Sequence, residues 1–252
     1  MEQWKGKVAL VTGASVGIGA ETALALANSG MVVVGIARRD HAIEALSKKV
    51  TGEGKIIARK CDLSIETDIL DLFKWIESEL GGVDVLINNA ALLISNFVTE
   101  TPTETIRDIF NLNVVAATIC VKETVKSIRN RNSKGHIINL NSILGHRIPD
   151  VPVPVFGIYP ASKFAISAIN HLIKAEMAYY KVQIKCTSIS PGMVDTDMID
   201  TFNSNFKDYM PKLKAEDITA AILYALGTPD RVQVEEIILQ ATHHTNAING
   251  SA

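Results

Sequence analysis

Cysteine is scarce: Cys61, Cys120 and Cys186 form an odd, scattered set with no CxxC pair. That excludes a disulfide-stapled scaffold, offers no zinc-type spacing, and reads as reduced thiols inside a cell. No metal site is therefore expected. An excess of either charge is also lacking, since 25 Lys and Arg stand against 27 Asp and Glu for a net charge of −2. A nucleic-acid partner is not expected, because such surfaces are strongly basic. No apolar run approaches the roughly 20 residues that cross a bilayer, so no membrane span is expected. The opening Met1-Glu2-Gln3-Trp4-Lys5 lacks the apolar core of a leader peptide. The closing Ile248-Asn249-Gly250-Ser251-Ala252 carries no lipidation or retention address. A soluble, cytoplasmic protein is the expectation. Repeats, low-complexity tracts and linkers are absent too, which points to a single domain over residues 1–252.

What is present suits a globular fold: 252 residues, 47% hydrophobic and 21% charged. Short apolar runs alternate with helical patterns. Strands are predicted over Lys7–Thr12, Met31–Ile36, Lys55–Ala58, Val83–Ile87, Gly135–Leu140, Gln183–Ile189 and Val232–Leu239. Helices are predicted over Gly17–Asn28, around Ile43, Leu46 and Val50, from Ile69 to Leu80, over a long stretch Thr103–Arg129, from Tyr159 to Tyr180, and over Ile218–Leu226. Continuously apolar strands separated by helices imply a parallel sheet covered on both faces. With right-handed crossovers this is an α/β, Rossmann-type doubly wound fold. Pro149, Pro152 and Pro154 then mark a loop within the domain.

Between the first strand and first helix lies Thr12-Gly13-Ala14-Ser15-Val16-Gly17-Ile18-Gly19. Its glycines are spaced G-x3-G-x-G rather than G-x-G-x-x-G. Glycine permits a tight turn and close approach of backbone to phosphate, and the helix N-terminus favours the negative charge. Gly13, Ser15, Val16, Gly17, Ile18 and Gly19 are therefore candidate dinucleotide-binding residues. An NAD site usually ends its second strand with an acidic residue that holds the ribose hydroxyls. Here the strand ends Ala37-Arg38-Arg39-Asp40. Two guanidinium groups suit a 2′-phosphate, so the expected cofactor is NADP(H), with Arg38 and Arg39 as its phosphate ligands. Asp40 is expected to cap the next helix. Cys61-Asp62-Leu63 ends the third strand; Asp62 either bonds an adenine amino group or caps a helix.

Tyr159 and Lys163 share one helix face at i,i+4. Tyrosine, with a pKa of about 10, is a weak base at neutral pH until a nearby ammonium stabilises its phenolate. The pair is a candidate acid/base device for a hydroxyl or carbonyl, and Pro160 suits a first helical turn.

Taken together, Gly13-x3-Gly17-x-Gly19, Asn88-Asn89-Ala90, Asn113, Ser142, Tyr159-x-x-x-Lys163 and Pro191-Gly192 occur in the order seen in the short-chain dehydrogenase/reductase family, which the chain resembles over essentially its full length. The resemblance implies hydride transfer between nicotinamide and a carbinol or carbonyl carbon. It implies that Ser142 bonds the substrate oxygen, Tyr159 is the acid/base, and Lys163 lowers its pKa and binds the ribose. Asn113 would hold a water in a proton relay through Lys163. Asn89, Ala90, Leu63, Pro191, Gly192, Val194 and Thr196 would line the cofactor. Ala91 departs from the usual glycine at its position, and its methyl is expected to crowd the backbone or require negative φ.

The segment Ile143–Phe156 and the residues Met193, Met198, Ile199, Phe202, Phe206 and Met210 are apolar and adaptable, as suits the wall and lid of a lipophilic pocket. Stretches such as Gly35-x-Ala37-Arg38-Arg39, Phe73-Lys74-Trp75 and Leu223-Tyr224-x-Leu226-Gly227-Thr228-Pro229 resemble a subgroup of insect NADP-dependent farnesol dehydrogenases and their dehydrogenase/reductase member 11-like relatives. That implies a terpenoid alcohol such as farnesol as substrate. Ketosteroids, hydroxysteroids and dicarbonyls are the alternatives, and a catalytically silent cofactor-binding sensor a more distant one. His146 is expected near the pocket or as a solvated loop residue. The family resemblance also implies a homodimer or homotetramer, with the helices over 103–129 and 159–180 and the last strand as candidate contacts.

Overall fold

A computed structural model describes residues 1–149, 156–201 and 210–242. One seven-stranded sheet holds β1 (Val8–Thr12), β2 (Val32–Ala37), β3 (Lys55–Lys60), β4 (Val85–Asn88), β5 (Gly135–Leu140), β6 (Ile184–Pro191) and β7 (Glu236–Leu239), in the order β3-β2-β1-β4-β5-β6-β7. Every pairing is parallel. The order reverses between β1 and β4, which opens a crevice at the carboxyl ends of these strands. The expected doubly wound sheet is the fold observed.

The connecting helices are α1 (Gly17–Asn28), α2 (His41–Ser47), α3 (Glu66–Leu80), α4 (Thr103–Phe110), α5 (Ala117–Asn130), α6 (Tyr159–Tyr180) and α7 (Ala215–Gly227). All five residues of β1 are buried because helices cover both sides. Its successive side chains feed two cores. Ala9 and Val11 join Leu26 of α1, Ile43 of α2 and Ile222 of α7. Val8 and Leu10 join Phe73 of α3, Val121 of α5 and Ile173 of α6. Each buried Val, Leu, Ile or Phe among them contributes about 1.5–3 kcal/mol, which holds the rims of the crevice in place. Among the described residues, no helix is long and apolar enough to cross a membrane.

Two elements differ from the sequence reading. The stretch expected as one helix over 103–129 is α4, a π-helical segment Asn111–Ala116, and then α5. The inserted residue leaves the run of apolar positions nearly intact, so periodicity does not reveal it. The last strand begins at Glu236, not Val232. Residues before it reach β6 largely through side chains: Gln233 Nε2 donates to Cys186 O at 2.7 Å and Thr187 Oγ1 donates to Val234 O at 2.7 Å. Pro149 lies in a described loop, whereas Pro152 and Pro154 lie outside the described residues.

Candidate active site

A cleft of about 800 Å³ runs along the carboxyl ends of the strands. At one end is the glycine loop. Gly17 has a φ of +56°, a conformation that favours glycine, and a Cβ there would meet Thr196 Cγ2 at 3.1 Å. Gly19 does not line the cleft. A Cβ on it would stand 2.2 Å from Gly13 O, so its bareness lets α1 pack under the loop. The helix opens at Val16 with no side-chain cap and no acidic residue in its first turn. Its N–H groups and positive dipole end are thus suited to an anion.

Thr12 and Asn89 shape this loop from below. Thr12 Oγ1 accepts the N–H of Asn89 at 2.9 Å and of Ala90 at 3.0 Å. Asn89 Nδ2 donates to Thr12 O at 2.9 Å and Gly13 O at 3.2 Å. Asn89 lines the cleft, and its amide also staples the end of β4 to the end of β1. Thr12 heads the glycine loop in the sequence, yet no role was read for it; its place at the end of β1 was the available signal.

Arg38, Arg39, Asp62 and Leu63 line the cleft beyond β2 and β3. Asp62 Oδ1 accepts from Ser64 N at 2.9 Å and Ser64 Oγ at 2.7 Å. These bonds, with a smaller pull from Arg38, hold its carboxyl below the usual aspartate value. Asp62 thus closes a turn; the N-cap of α3 is Ile65. Asp40 takes the N-cap position of α2 as expected, but its carboxylate makes no capping bond.

At the other end, Ser142, Tyr159 and Lys163 meet in the cleft. Ser142 Oγ accepts from Leu144 N at 3.1 Å, so its hydrogen remains free to donate. Tyr159 opens α6 ahead of Pro160. Burial pushes its phenol above the ordinary tyrosine value, and a hydrogen bond with Ser142 pulls the other way. Lys163 is buried, which lowers its ammonium to about 8. Its Nζ lies 5.4 Å from the Tyr159 ring centroid and donates to Leu140 O at 2.7 Å.

Asn113 does not line the cleft. It sits in the π-helical segment with its side chain fully engaged. Oδ1 accepts from Leu92 N at 2.7 Å, while Nδ2 donates to Leu92 O at 2.9 Å and Ser162 Oγ at 3.0 Å. Ser162 Oγ in turn donates to Tyr159 O at 2.7 Å. Asn113 therefore ties the 91–93 loop to the first turn of α6. Ser162, a second residue the sequence reading missed, is the link; its place directly before Lys163 was the available signal.

Pro191, Gly192, Val194 and Thr196 form the wall facing this end, and Ala90 and the loop residues Ser15, Val16 and Ile18 also line the cleft. Beyond Ser142 the lining turns mostly apolar, with Leu92, Leu93, Leu144, Phe156, Met193, Met198, Ile199 and Met210, while the carboxylates Asp108 and Asp197 also line the cleft. Phe202 and Phe206, expected in the lid, lie outside the described residues, as does 150–155. Ala91 packs in the apolar cluster of Leu93, Leu144, Tyr159 and Ile199. Among the described non-glycine residues only Asn132 and Lys181 have positive φ, so the Ala91 methyl is accommodated without that strain. His146 does not line the cleft; it is an exposed loop residue, as the second expectation had it, and its Nε2 bonds Glu236.

A glycine cradle that a Cβ would fill, an uncapped helix start and a Ser-Tyr-Lys cluster at one end of a shared cleft fit a nicotinamide dinucleotide. They define an oxidoreductase of the short-chain type. The short chain dehydrogenase model matches residues 7–207, and the chain belongs to that family. Among its relatives, farnesol dehydrogenase of Aedes aegypti is 43% identical over 243 residues, covering 95% of this chain and 98% of its own. Dehydrogenase/reductase SDR family member 11 of Homo sapiens is 40% identical over 255 residues, covering 96% of each. The alcohol dehydrogenase of the archaeon Thermococcus sibiricus, solved with 5-hydroxy-NADP, superposes with a TM-score of 0.83 at 25% identity, covering 95% of this chain and 98% of that one.

Proposed function

We propose that this protein is an NADP(H)-dependent oxidoreductase acting on a lipophilic alcohol or carbonyl, with a terpenoid alcohol such as farnesol as the substrate in the oxidative direction. The observation that carries this reading is one cleft joining a dinucleotide cradle, the Ser142-Tyr159-Lys163 cluster and an apolar pocket. When bound, the dinucleotide supplies the hydride acceptor or donor. Arg38 and Arg39 would hold its 2′-phosphate, Asp62 and Leu63 its adenine end, and Lys163 its nicotinamide ribose. In oxidation, Tyr159 Oη takes the substrate hydroxyl proton while Ser142 Oγ–H bonds the substrate oxygen; in reduction Tyr159 Oη returns a proton. The Lys163 ammonium stabilises the phenolate, and Asn113 holds the start of α6 in register with the loop beside it. The mostly apolar lining favours a hydrocarbon chain over a sugar or hydroxy acid, because a substrate bearing many hydroxyls would lose more hydration there than the few polar groups replace. The name of the 43% identical mosquito relative supports the same choice.

The chain would act as a single domain in the cytoplasm, as a homodimer or homotetramer. A groove between α5 and α6, lined by Val121, Val125, Ile169 and Tyr180, with Leu172 exposed beside it, supports association through those helices. The test is NADPH formation with NADP+ or NAD+ as acceptor and farnesol, a short aliphatic alcohol or a hydroxysteroid as donor. Turnover is expected with NADP+ and farnesol and is abolished in Tyr159→Phe with dinucleotide binding intact. Turnover only with the hydroxysteroid would move the substrate, and undiminished turnover in Tyr159→Phe would remove its acid/base role.

A further inference from the structure

One oxygen of Glu236 on β7 accepts three hydrogen bonds outside the cleft: from His146 Nε2 at 2.7 Å, Ser190 Oγ at 2.5 Å and Ser188 Oγ at 3.1 Å. The two serine hydroxyls also lie 3.3 Å apart, and His146 Nε2 lies 3.2 Å from Ser190 Oγ, so the four groups form one cluster. A carboxylate only accepts, so the imidazole nitrogen that bonds it is the one that carries a hydrogen.

The donors connect both walls of the catalytic end. His146 closes the short 3-10 turn Ile143–Gly145 that Ser142 opens, its N–H donating to Ile143 O at 3.1 Å. Ser190 immediately precedes Pro191 and Gly192, which line the cleft. The parallel register places Glu236 opposite Ser188. A separate set of bonds fixes the same turn to α6: Asn141 Nδ2 donates to Ser167 Oγ at 2.8 Å, and Ser167 Oγ donates to Gly145 O at 2.9 Å. The Ser142 turn is thus held to α6 by Ser167 and to the sheet by Glu236. Bonds to an ionised acceptor are shorter and stronger than neutral ones, so the carboxylate is the stiff member of this tie.

We propose that Glu236 is a positioning residue: through His146 and Ser190 its carboxylate sets the Ser142 turn against the Pro191–Gly192 wall. The kinetic consequence rests on the oxidoreductase reading; the structural one does not. The test compares Glu236→Ala and Glu236→Gln with wild type in the full chain. In Glu236→Ala, hydrogen exchange over residues 141–147 is expected to rise about tenfold or more, while exchange in β1 and α1 stays at wild-type rates. Because misplacement by about 1 Å costs up to about 100-fold, kcat is expected to fall by about 10–100-fold. The KM for NADP+ should hold, and the kinetic isotope effect with carbinol-deuterated alcohol should rise as hydride transfer becomes limiting. Glu236→Gln keeps an acceptor oxygen and is expected to restore much of both. Wild-type exchange over 141–147 in Glu236→Ala overturns the proposal. So does a kcat loss that only follows the folded fraction with an unchanged isotope effect. If wild type turns over no alcohol or carbonyl with either dinucleotide, the proposed function fails, and the exchange comparison alone decides the tie. Should Glu236→Ala not fold, His146→Ala cuts the same tie and is read in the same way.

Discussion

Lys163→Met isolates the electrostatic part of the proposed chemistry. The Lys163 Nζ stands 5.4 Å from the Tyr159 ring centroid in a buried site. At an effective dielectric constant of about 20, unit charges at that separation attract by about 3 kcal/mol. At 1.36 kcal/mol per pH unit, that is about 2 units of tyrosine pKa. Burial already pushes the Tyr159 phenol up, so the ammonium opposes a large cost. In oxidation the phenolate is the active form, and kcat/KM rises with pH until it is fully formed. Removing the ammonium therefore moves that rising limb to higher pH by about 2 units and lowers the rate near neutrality by about 100-fold, with recovery in alkali. The variant also leaves Leu140 O without its 2.7 Å donor. Loss of a buried partner costs about 1–3 kcal/mol, offset in part because no ammonium is then buried. The assay is the pH dependence of NADPH formation at saturating NADP+, with Lys163→Arg as the charge-preserving control. An unmoved limb in Lys163→Met, with dinucleotide binding intact, would refute the electrostatic argument.

The other predictions concern the cofactor and the fold. Arg38→Asp combined with Arg39→Leu removes charge-assisted bonds worth about 1.5–3 kcal/mol each, so the ratio of kcat/KM for NADP+ over NAD+ should drop by about 100-fold or more; an unchanged ratio would place the 2′-phosphate elsewhere. Gly19→Ala sets a methyl 2.2 Å from Gly13 O. Overpacking costs about 1–3 kcal/mol, so calorimetry should show melting lowered by about 2–12 °C, and fluorescence titration should show loss of dinucleotide binding. His136 is buried with its pKa lowered to about 3, chiefly by burial and further by Lys185. The unfolded chain takes up this proton below about pH 6.5 and the folded chain does not until about pH 3, so stability is lost as pH falls through that window. Denaturant unfolding of His136→Asn should show a shallower acid loss, by a few kcal/mol at pH 4 relative to pH 7.

Much of the site was legible because its parts are local in sequence. The glycine spacing, the paired arginines and the Tyr159–Lys163 interval each require only a few neighbouring residues, and the strand-helix alternation places all of them at the same edge of a parallel sheet. The residues that were missed act across the fold. Thr12 meets Asn89 and Ala90 only because β1 pairs with β4. Ser162 meets Asn113 only because α6 lies against the π-helical segment. The side-chain contacts of Asn113 were equally hidden: it braces Leu92 and Ser162, which no spacing could show.

Local propensity and apolar periodicity thus suffice for the doubly wound class, and the joint set of motifs for the proposed dinucleotide cradle and the proposed Tyr159–Lys163 pair, since each is a property of short stretches of chain. Tertiary structure alone decided the rest. It set the π-helical break at Asn113, the acceptance of a methyl at Ala91, and the joining of His146, Ser190 and Glu236 across 44 to 90 residues of sequence. These depend on how side chains distant in the chain compete for the same hydrogen-bond partners and the same space, and that competition exists only once the sheet and its helices have closed around them.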